Sequence, residues 1–333
     1  MKDAFSSPVV ESYDNVLPRM TVLAARGAAS FSGAQLTALS GVSRIAIHEV
    51  ASRLSNRELG AMCRDAEILG ITRRATTNID EGLLADMPRL CGIAVYSSGY
   101  EWIELEALGR RGITLSILPD YSTKTVAEHT WGMILTMSRR LHLSDRIARG
   151  DLPGGISLRG WELAGKRLGI IGLGRIGKAV AAIAGAFSMD VIYYDRRDVS
   201  VNMGSALSFD EVLASADVLV VASSYDRGTA PIIDSSAIAQ MKQGAYLVNP
   251  ARPSLVNNDE VLKAIREKRL AGYAVDERVY SRGQLAGIEH GRIFQTGHTA
   301  WYSNEAMERG TQCWVDNLVA LAAGRPINLV AGS

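Results

Sequence analysis

Short apolar runs alternate with amphipathic segments along nearly the whole chain. A first series of runs with the length and composition of strands spans residues 20–27, 44–50, 66–72 and 90–99. A second series spans residues 166–174, 189–195, 216–224, 244–251 and 270–276. Strands that alternate with helical segments are typical of parallel sheets covered by helices on both faces. The pattern therefore predicts an α/β fold with two doubly wound parallel sheets.

Two helical patterns lie outside these series. Residues 123–150 have apolar residues at helical spacing and end at Gly150, which predicts one long helix. Residues 303–324 form a second pattern, with Ser303 or Asn304 as its N-cap. A helix in this position allows the chain to return to the first domain, which would make that domain discontinuous.

Composition and charge limit the possible functions. A chain of 333 residues is too long for one ordinary core, so we expect two domains. The 36 basic and 35 acidic residues nearly cancel, which argues against binding of nucleic acid or an acidic membrane surface. No apolar run reaches membrane-spanning length. Three cysteines without metal-binding spacing fit a reducing, cytoplasmic setting, and they indicate neither a zinc site nor a disulfide framework.

A glycine-rich loop follows the first strand of the second series. In the hexapeptide GLGRIG, Gly172, Gly174 and Gly177 have the spacing G-x-G-x-x-G between a strand and a helix. The first glycine permits a tight turn, the second lets the backbone approach a pyrophosphate, and the third lets helix and strand pack closely. Arg175 and Ile176 fall at the amino terminus of the helix, where free N–H groups attract phosphate. The loop therefore predicts a dinucleotide-binding site.

The acidic residue at the end of the next strand bears on which dinucleotide binds. Asp195 lies 18 residues beyond Gly177, where a carboxylate accepts both hydroxyls of an adenosine ribose. Because the carboxylate repels a 2′-phosphate, the sequence predicts NAD rather than NADP. Arg196 and Arg197 follow at once, and since arginine accommodates phosphate, tolerance of NADP stays open.

Several motifs, in a constant order, resemble the D-isomer-specific 2-hydroxyacid dehydrogenases over nearly the whole chain. They are VYSSGYEWIELEALGRRGITLSILP, STKTVAEHTWGMIL, LAGKRLGIIGLGRIGKAVA, MKQGAYLVNPARPSLVNNDEVLKAI, RLAGYAVD and TGHTAWYSNEA. The segment HTAWYSNEA is most similar to the C-terminal binding protein-like subgroup, which includes NAD-dependent corepressors. The resemblance implies a Rossmann NAD-binding domain at residues 119–299, inserted into a flavodoxin-like substrate domain at residues 1–118 and 300–333. It also implies a homodimer formed largely through the NAD-binding domain.

The resemblance assigns the two main catalytic roles to an arginine and a histidine. Arg252, in VNPARP, would anchor the substrate carboxylate and polarise the keto oxygen, which suits a planar, permanently charged guanidinium. Pro253 stands where the family usually has glycine. His298 would exchange a proton with the keto oxygen, because imidazole donates and accepts protons near neutral pH. Gly297 stands where the family has proline.

Four further residues are assigned by their position in the motifs. Ser98 and Gly99 match a loop whose backbone N–H groups hold the substrate carboxylate. Trp301 would line the substrate site with its aromatic face or only pack the seam between the two domains, and the sequence leaves both roles open. Asp276, in YAVDERVYS, matches an aspartate that is assigned to the cofactor site.

The carboxylate that normally supports the histidine is missing from its usual place. In the family a glutamate that follows the aspartate hydrogen-bonds the histidine, whereas Ser281 stands at that position here. Glu277 and Glu289 are replacements by residue type. Glu277 would point away from Asp276 if the strand continued, and Glu289 lies in a loop that the pattern does not place. The sequence therefore predicts a proton carrier without its usual carboxylate.

The leading hypothesis is an NAD-dependent oxidoreductase that transfers hydride between nicotinamide and C2 of a small D-2-hydroxy or 2-oxo acid. An unusual acid such as a phosphonate analogue is a variant of it, and formate- or phosphite-type oxidation shares the scaffold. The alternative from another class is an NAD(H)-sensing scaffold similar to the corepressors. Arg252 and His298 argue against the scaffold, because a protein without turnover needs no proton carrier.

Overall fold

The computed structural model describes residues 17–199, 201–225 and 230–330. The chain divides into two compact units, the first formed by Met1–Pro119 and Gly310–Ser333 and the second by Asp120–Arg309. Each unit is built on its own parallel sheet. The fold is therefore mixed α/β with two parallel sheets, as the sequence predicts.

The first unit contains a five-stranded sheet. Its strands are β1 (Arg19–Ala24), β2 (Arg44–Glu49), β3 (Ile68–Ile71), β4 (Gly92–Val95) and β5 (Thr114–Ser116). Its helices in the amino-terminal segment are α1 (Gly33–Val42), α2 (Asn56–Cys63), α3 (Glu81–Ala85) and α4 (Leu105–Arg111). The strand order is β2-β1-β3-β4-β5. Strands β3 and β4 are buried along their whole length, which is the environment that their continuous apolar sequence predicts.

The second unit contains a seven-stranded sheet. Its strands are β6 (Arg167–Ile171), β7 (Asp190–Tyr194), β8 (Ser205–Ala206), β9 (Val218–Val221), β10 (Ala245–Asn249), β11 (Leu270–Val275) and β12 (Ile293–Gln295). Its helices are α5 (Thr123–Arg139), α6 (Leu141–Ala148), α7 (Arg175–Ala184), α8 (Phe209–Ser215), α9 (Ser235–Gln240) and α10 (Asn258–Arg266). The strand order is β12-β11-β10-β9-β6-β7-β8. This is the Rossmann order with one added strand, and it reverses between β6 and β9, where such sheets bind their ligands.

Residues 123–150 form two helices, so the prediction of one long helix was wrong. Arg140 lies between α5 and α6 with a φ of 52°, in the left-handed region. Its guanidinium donates hydrogen bonds to the carbonyl oxygens of Ser157 and His290, at 3.2 and 3.3 Å. These partners are distant in sequence, and the apolar spacing on which the prediction rested does not report them.

The last helix, α11, spans Asn304–Ala322 and contains the point at which the chain passes from the second unit to the first. Ser303, one of its two expected caps, accepts a hydrogen bond from the N–H of Ala306 at 3.2 Å. In the first unit, Trp314 of this helix is 2% exposed and donates its indole N–H to the carbonyl of Ala94. The boundaries at 118/119 and 299/300, and the roles assigned to the two domains, stay predictions.

The cysteines are free thiols, at positions 63, 91 and 313. Burial raises the pKa of the Cys63 thiol to about 12 and also raises the pKa of Cys91 and of Cys313. Within the described residues, no helix has both the length and the hydropathy that crossing a bilayer requires.

Candidate active site

The carboxyl ends of three neighbouring strands in the second unit bring the predicted polar residues together. Strands β10, β11 and β12 pair in parallel, with Asn249 opposite Val275 and Val275 opposite Gln295. Parallel strands place the loops that follow them at one edge of the sheet. The loops after these three strands carry Arg252, Asp276, Glu277 and His298.

His298 has a carboxylate partner. Its Nδ1 lies 2.8 Å from Oε2 of Glu277. The two side chains are 36% and 40% exposed, so the ring is held at one nitrogen and still open to small molecules. A carboxylate on Nδ1 orients an imidazole and favours the tautomer that leaves Nε2 for proton transfer.

The expectation that Glu277 points away from Asp276 held only if the strand continued, and the strand does not continue. Strand β11 ends at Val275, and the chain bends at the next two residues. Side chains alternate between the faces of a sheet only while the strand continues. After the bend, the consecutive side chains of Asp276 and Glu277 both contact the turn that carries His298.

Ser281 and Glu289, the other two positions considered for the partner of His298, make contacts with other residues. Ser281 accepts a hydrogen bond from the N–H of Gln284, and its own hydroxyl contacts Oε1 of Gln284 at 2.9 Å. Glu289 pairs with the guanidinium of Arg292 at 2.8 Å and with that of Arg140 at 3.5 Å. These contacts place neither residue on His298.

The backbone at His298 is left-handed, with a φ of 58°. This conformation costs a residue with a side chain about 1–2 kcal/mol, so the surrounding contacts must hold it. Asp276, whose side chain is 5% exposed, accepts hydrogen bonds from the hydroxyl of Thr296 at 2.6 Å and from the N–H groups of Thr299 and Ala300 at 2.8 Å each. The carboxylate therefore joins the two sides of the histidine turn. The assignment of Asp276 to the cofactor stays a prediction.

Trp301 also contacts the histidine turn. Its indole N–H donates to the carbonyl of His298 at 3.1 Å. Its ring lies 6.3 Å from the ring of Tyr121 and 5.2 Å from that of Tyr302, measured between centroids. These contacts all lie within the second unit, so both the packing role at a domain seam and contact with substrate stay predictions.

Arg252 lies on the loop that follows β10, and the buried side-chain amide of Asn249 holds this loop. Asn249, 1% exposed, donates from Nδ2 to the carbonyl of Arg252 at 2.8 Å and accepts from the N–H of Ala251 at 3.0 Å. Pro253 starts a short 3-10 turn, Pro253–Leu255, where a fixed φ is favourable. The departure from glycine at this position is therefore accommodated by a regular turn.

The glycine loop has the shape that a dinucleotide requires. Gly172 has a φ of 94°, and a Cβ added there would lie 2.8 Å from the backbone of Ser223. A Cβ on Gly177 would lie 2.2 Å from the carbonyl oxygen of Gly172, so only glycine allows α7 to pack on this turn. Gly174 has open space at its Cβ position, and no side chain caps the amino terminus of α7 there.

The first turn of α7 supplies donors for an anion. The first bond of the helix runs from the N–H of Lys178 to the carbonyl of Gly174. The N–H groups of Arg175 and Ile176 precede that bond and have no acceptor within the helix. An amino terminus of this kind fits a pyrophosphate. The residues present thus fit NAD at this loop.

Asp195 directly follows β7 and lines a cavity of about 290 Å³, together with the other residues of 193–199 and residues 206 and 207. It accepts a hydrogen bond from the N–H of Leu173 at 2.8 Å and forms a two-contact ion pair with Arg197, at 2.9 and 3.0 Å. The Arg197 guanidinium, helped by backbone N–H groups and opposed by burial, lowers the pKa of Asp195 to about 2. The carboxylate predicted for the ribose is therefore ionised and carries an arginine beside it.

Ser98 and Gly99 lie in the first unit, in the loop after β4. The hydroxyl of Ser97 and the indole N–H of Trp102 both donate to the carbonyl of Gly99, at 2.6 and 3.2 Å. The loop therefore has a defined backbone. Its role in binding a carboxylate stays a prediction.

Three residues that contact the histidine and arginine loops were not singled out from the sequence as partners of the site. Asn249 stands in the motif VNPARP three residues before Arg252, so its position was a usable signal. Thr296 and His129 also stand in quoted motifs, TGHTAWYSNEA and STKTVAEHTWGMIL. Their contact, 3.2 Å from Nε2 of His129 to the hydroxyl of Thr296, joins segments that are far apart in sequence, and no motif signals it.

Comparison with known proteins gives consistent matches. A family model described as D-isomer specific 2-hydroxyacid dehydrogenase, NAD binding domain, matches residues 131–300. A glyoxylate reductase from Aeropyrum pernix is 34% identical over 273 residues, which cover 77% of this chain and 80% of that protein. A D-lactate dehydrogenase from Curvularia clavata is 32% identical over 249 residues, 69% of this chain and 71% of that protein.

A solved structure also matches over most of the chain. The D-lactate dehydrogenase from Aquifex aeolicus, complexed with NAD and lactic acid, is 26% identical and has a TM-score of 0.74. The match covers 92% of this chain and 96% of that one.

Proposed function

The chain belongs to the D-isomer specific 2-hydroxyacid dehydrogenase family, and from this premise we propose that it reduces a small 2-oxo acid, with His298 as proton donor and Arg252 as the anchor of the substrate. The protein is an NAD-dependent 2-hydroxyacid dehydrogenase. The observation that carries the proposed roles is the contact of 2.8 Å between His298 and Glu277.

The proposed chemistry divides among a few side chains. Arg252 binds the substrate carboxylate through its planar guanidinium and draws electron density from the keto oxygen. His298, held at Nδ1 by Glu277, gives the proton on Nε2 to that oxygen and becomes neutral. Bound NADH supplies the hydride that C2 receives. In the opposite direction the same imidazole accepts the proton from the hydroxyl group.

The proposed substrate is a short 2-oxo acid, and glyoxylate is the first candidate. Glyoxylate reductases and D-lactate dehydrogenases are among the relatives that match this chain over two thirds of its length or more. The backbone of Ser98 and Gly99 and the ring of Trp301 complete the set of residues that we assign to the substrate. A phosphonate-bearing 2-oxo acid belongs in the substrate panel, because Pro253 and the relocated carboxylate depart from the family pattern.

We assign NAD to the loop of Gly172, Gly174, Arg175, Ile176 and Gly177, with Asp195 on the adenosine ribose. The support is the open amino terminus of α7 and the position of Asp195 at the end of the neighbouring strand.

We further propose a homodimer formed through the second unit and a cytoplasmic location. Leu141 of α6 and Leu158 are 54% and 41% exposed, which leaves apolar surface on this unit for a second copy. Free thiols at all three cysteines fit a reducing compartment. Sedimentation velocity of wild type and Leu141→Glu tests the dimer, which the substitution should weaken.

The function is tested by the loss of NADH absorbance with glyoxylate, pyruvate and a phosphonate-bearing 2-oxo acid. We expect consumption with at least one acid, and a fall of about 100-fold or more in kcat for His298→Gln at unchanged NADH affinity. Binding of NADH without consumption across the panel would contradict the proposed function and favour a scaffold. Equal rates for wild type and His298→Gln would remove His298 from the chemistry.

A further inference from the structure

We infer that Asp276 is a positioning residue, whose carboxylate holds the turn of His298 in the conformation that brings the imidazole to Glu277. The inference deepens the proposed function and depends on it for its kinetic consequences. Its structural part, the placement of the imidazole, is independent of turnover.

The two adjacent acidic residues act on different parts of the same turn. Asp276 binds the main chain at Thr299 and Ala300 and the hydroxyl of Thr296, whereas Glu277 binds the histidine ring. The bend after β11 allows both, because neither residue follows the alternation of a strand. The backbone before and after His298 is therefore held by one carboxylate, and the ring by the next.

The burial of Asp276 shows that these bonds are needed. A charged carboxylate that is 5% exposed is tolerated only when donors compensate for its lost hydration. The N–H of Ala300, in a residue that is 3% exposed, would in turn lack this acceptor if the carboxylate were removed. Charge-assisted bonds of 2.6–2.8 Å are strong, and they surround the left-handed residue. The left-handed φ of His298 is maintained by this arrangement.

A second contact supports the same side of the turn. Nε2 of His129, on α5, lies 3.2 Å from the hydroxyl of Thr296 and 3.8 Å from Oδ1 of Asp276. Thr296 is thus fixed by two side chains before the chain reaches Gly297. Since Gly297 replaces the proline that is usual in the family, the turn lacks the rigidity of that ring. The contacts of Asp276 restrict the turn instead.

The test compares Asp276→Asn with Asp217→Asn. Asp217 is a matched control, because its carboxylate also accepts a backbone N–H, that of Arg167 at 2.9 Å, and a side-chain donor, Lys242 at 2.7 Å. It precedes β9, at the opposite end of the strands from His298. The readouts are the ring resonances of His298 by NMR, NADH affinity, and kcat and KM for the 2-oxo acid. The chain has five histidines, so the His298 signals are assigned from their loss in His298→Gln.

For Asp276→Asn we expect a changed ring environment of His298 and a fall in kcat of about 100-fold, with NADH affinity and KM within about threefold of wild type. Asp217→Asn should leave the His298 resonances and kcat unchanged. Normal His298 resonances and kcat in Asp276→Asn would overturn the inference. A loss of NADH affinity alone would assign the residue to the cofactor instead.

Thr296→Val provides a milder second variant, since it removes one donor to Asp276 and keeps the shape of the side chain. If Asp276→Asn does not fold, Thr296→Val must show a smaller change of the same kind in the ring resonances, and unchanged resonances would overturn the inference. If wild type turns over no 2-oxo acid, the proposed function fails, while the NMR comparison still decides whether Asp276 positions the imidazole.

Discussion

His298 and Glu277 form a hydrogen-bonded pair, Nδ1 to Oε2 at 2.8 Å, although 21 positions separate them in the sequence. The pair exists because β11 ends one residue before Asp276, and because β11 and β12 end at the same edge of the sheet. The protein thus keeps a carboxylate on the histidine of its family while carrying serine at the usual position, 281. The contact of a carboxylate with the histidine is thus made by a different residue.

Two alanine substitutions in the glycine loop should separate its role in packing from its role in cofactor binding. Gly177→Ala places a Cβ 2.2 Å from the carbonyl of Gly172, so we expect a loss of about 1–3 kcal/mol in the free energy of unfolding, with weakened NADH binding. Gly174→Ala meets no atom within 4 Å and should fold normally, yet weaken NADH binding by about tenfold or more, since the added methyl occupies space near the pyrophosphate. Denaturant unfolding and NADH fluorescence measure both. Equal losses of stability in Gly177→Ala and Gly174→Ala would contradict the assignment of packing to Gly177 and of cofactor binding to Gly174.

Arg197 should control tolerance of a 2′-phosphate. Its guanidinium already pairs with Asp195, and it can pair with a phosphate beside that carboxylate instead. We expect Arg197→Gln to weaken NADPH binding by about tenfold or more and to leave NADH binding within about twofold. The control is Arg196→Gln, which leaves the Asp195–Arg197 pair intact. Parallel losses for both cofactors would show that Arg197 does not discriminate between them.

The same pair predicts a pH dependence. The native pKa of Asp195, about 2, lies below its ordinary value of 3.8. A group with a lowered native pKa stabilises the fold above its ordinary pKa, and this contribution is lost as the pH falls towards the native value. The difference in Tm between wild type and Arg197→Gln should therefore be present at about pH 5 and shrink as the pH approaches about 2–3. A difference that grows on acidification would contradict this account.

Asn249 should matter to both stability and activity. Asn249→Ala leaves the N–H of Ala251 and the carbonyl of Arg252 without their buried partner, which costs about 1–3 kcal/mol in the free energy of unfolding. Because the loop carries Arg252, kcat/KM should also fall. Asn257→Ala, which removes the cap of α10, should cost about 1 kcal/mol with unchanged kcat/KM. If the two variants differ in stability alone, the loop does not position Arg252.

The fold was predictable where the sequence pattern reflects burial. Strands β3, β4 and β9 are buried and apolar throughout, and the glycine loop has steric requirements that only glycine meets. The short strands β8 and β12 carry too few residues to show a period. The break at Arg140 depends on carbonyl groups of distant loops, which no local pattern encodes.

The site was predictable in its motifs and less so in its contacts. Arg252 and His298 were singled out by motif position, and the sheet places their loops at one edge. Glu277 was one of two replacements by residue type and was not preferred, because the end of a strand cannot be placed to one residue from apolar spacing. A one-residue error in the position of a strand changes the face of the sheet to which a side chain is predicted to point.

The most direct test of the account compares kcat for reduction of the 2-oxo acid in Glu277→Gln and Glu289→Gln. Both substitutions remove one partly exposed carboxylate, but only Glu277 contacts His298. We predict that kcat falls about 100-fold in Glu277→Gln, with NADH affinity unchanged, because the imidazole loses its orienting partner. Glu289→Gln should retain wild-type kcat. A wild-type kcat in Glu277→Gln would show that the histidine works without this carboxylate.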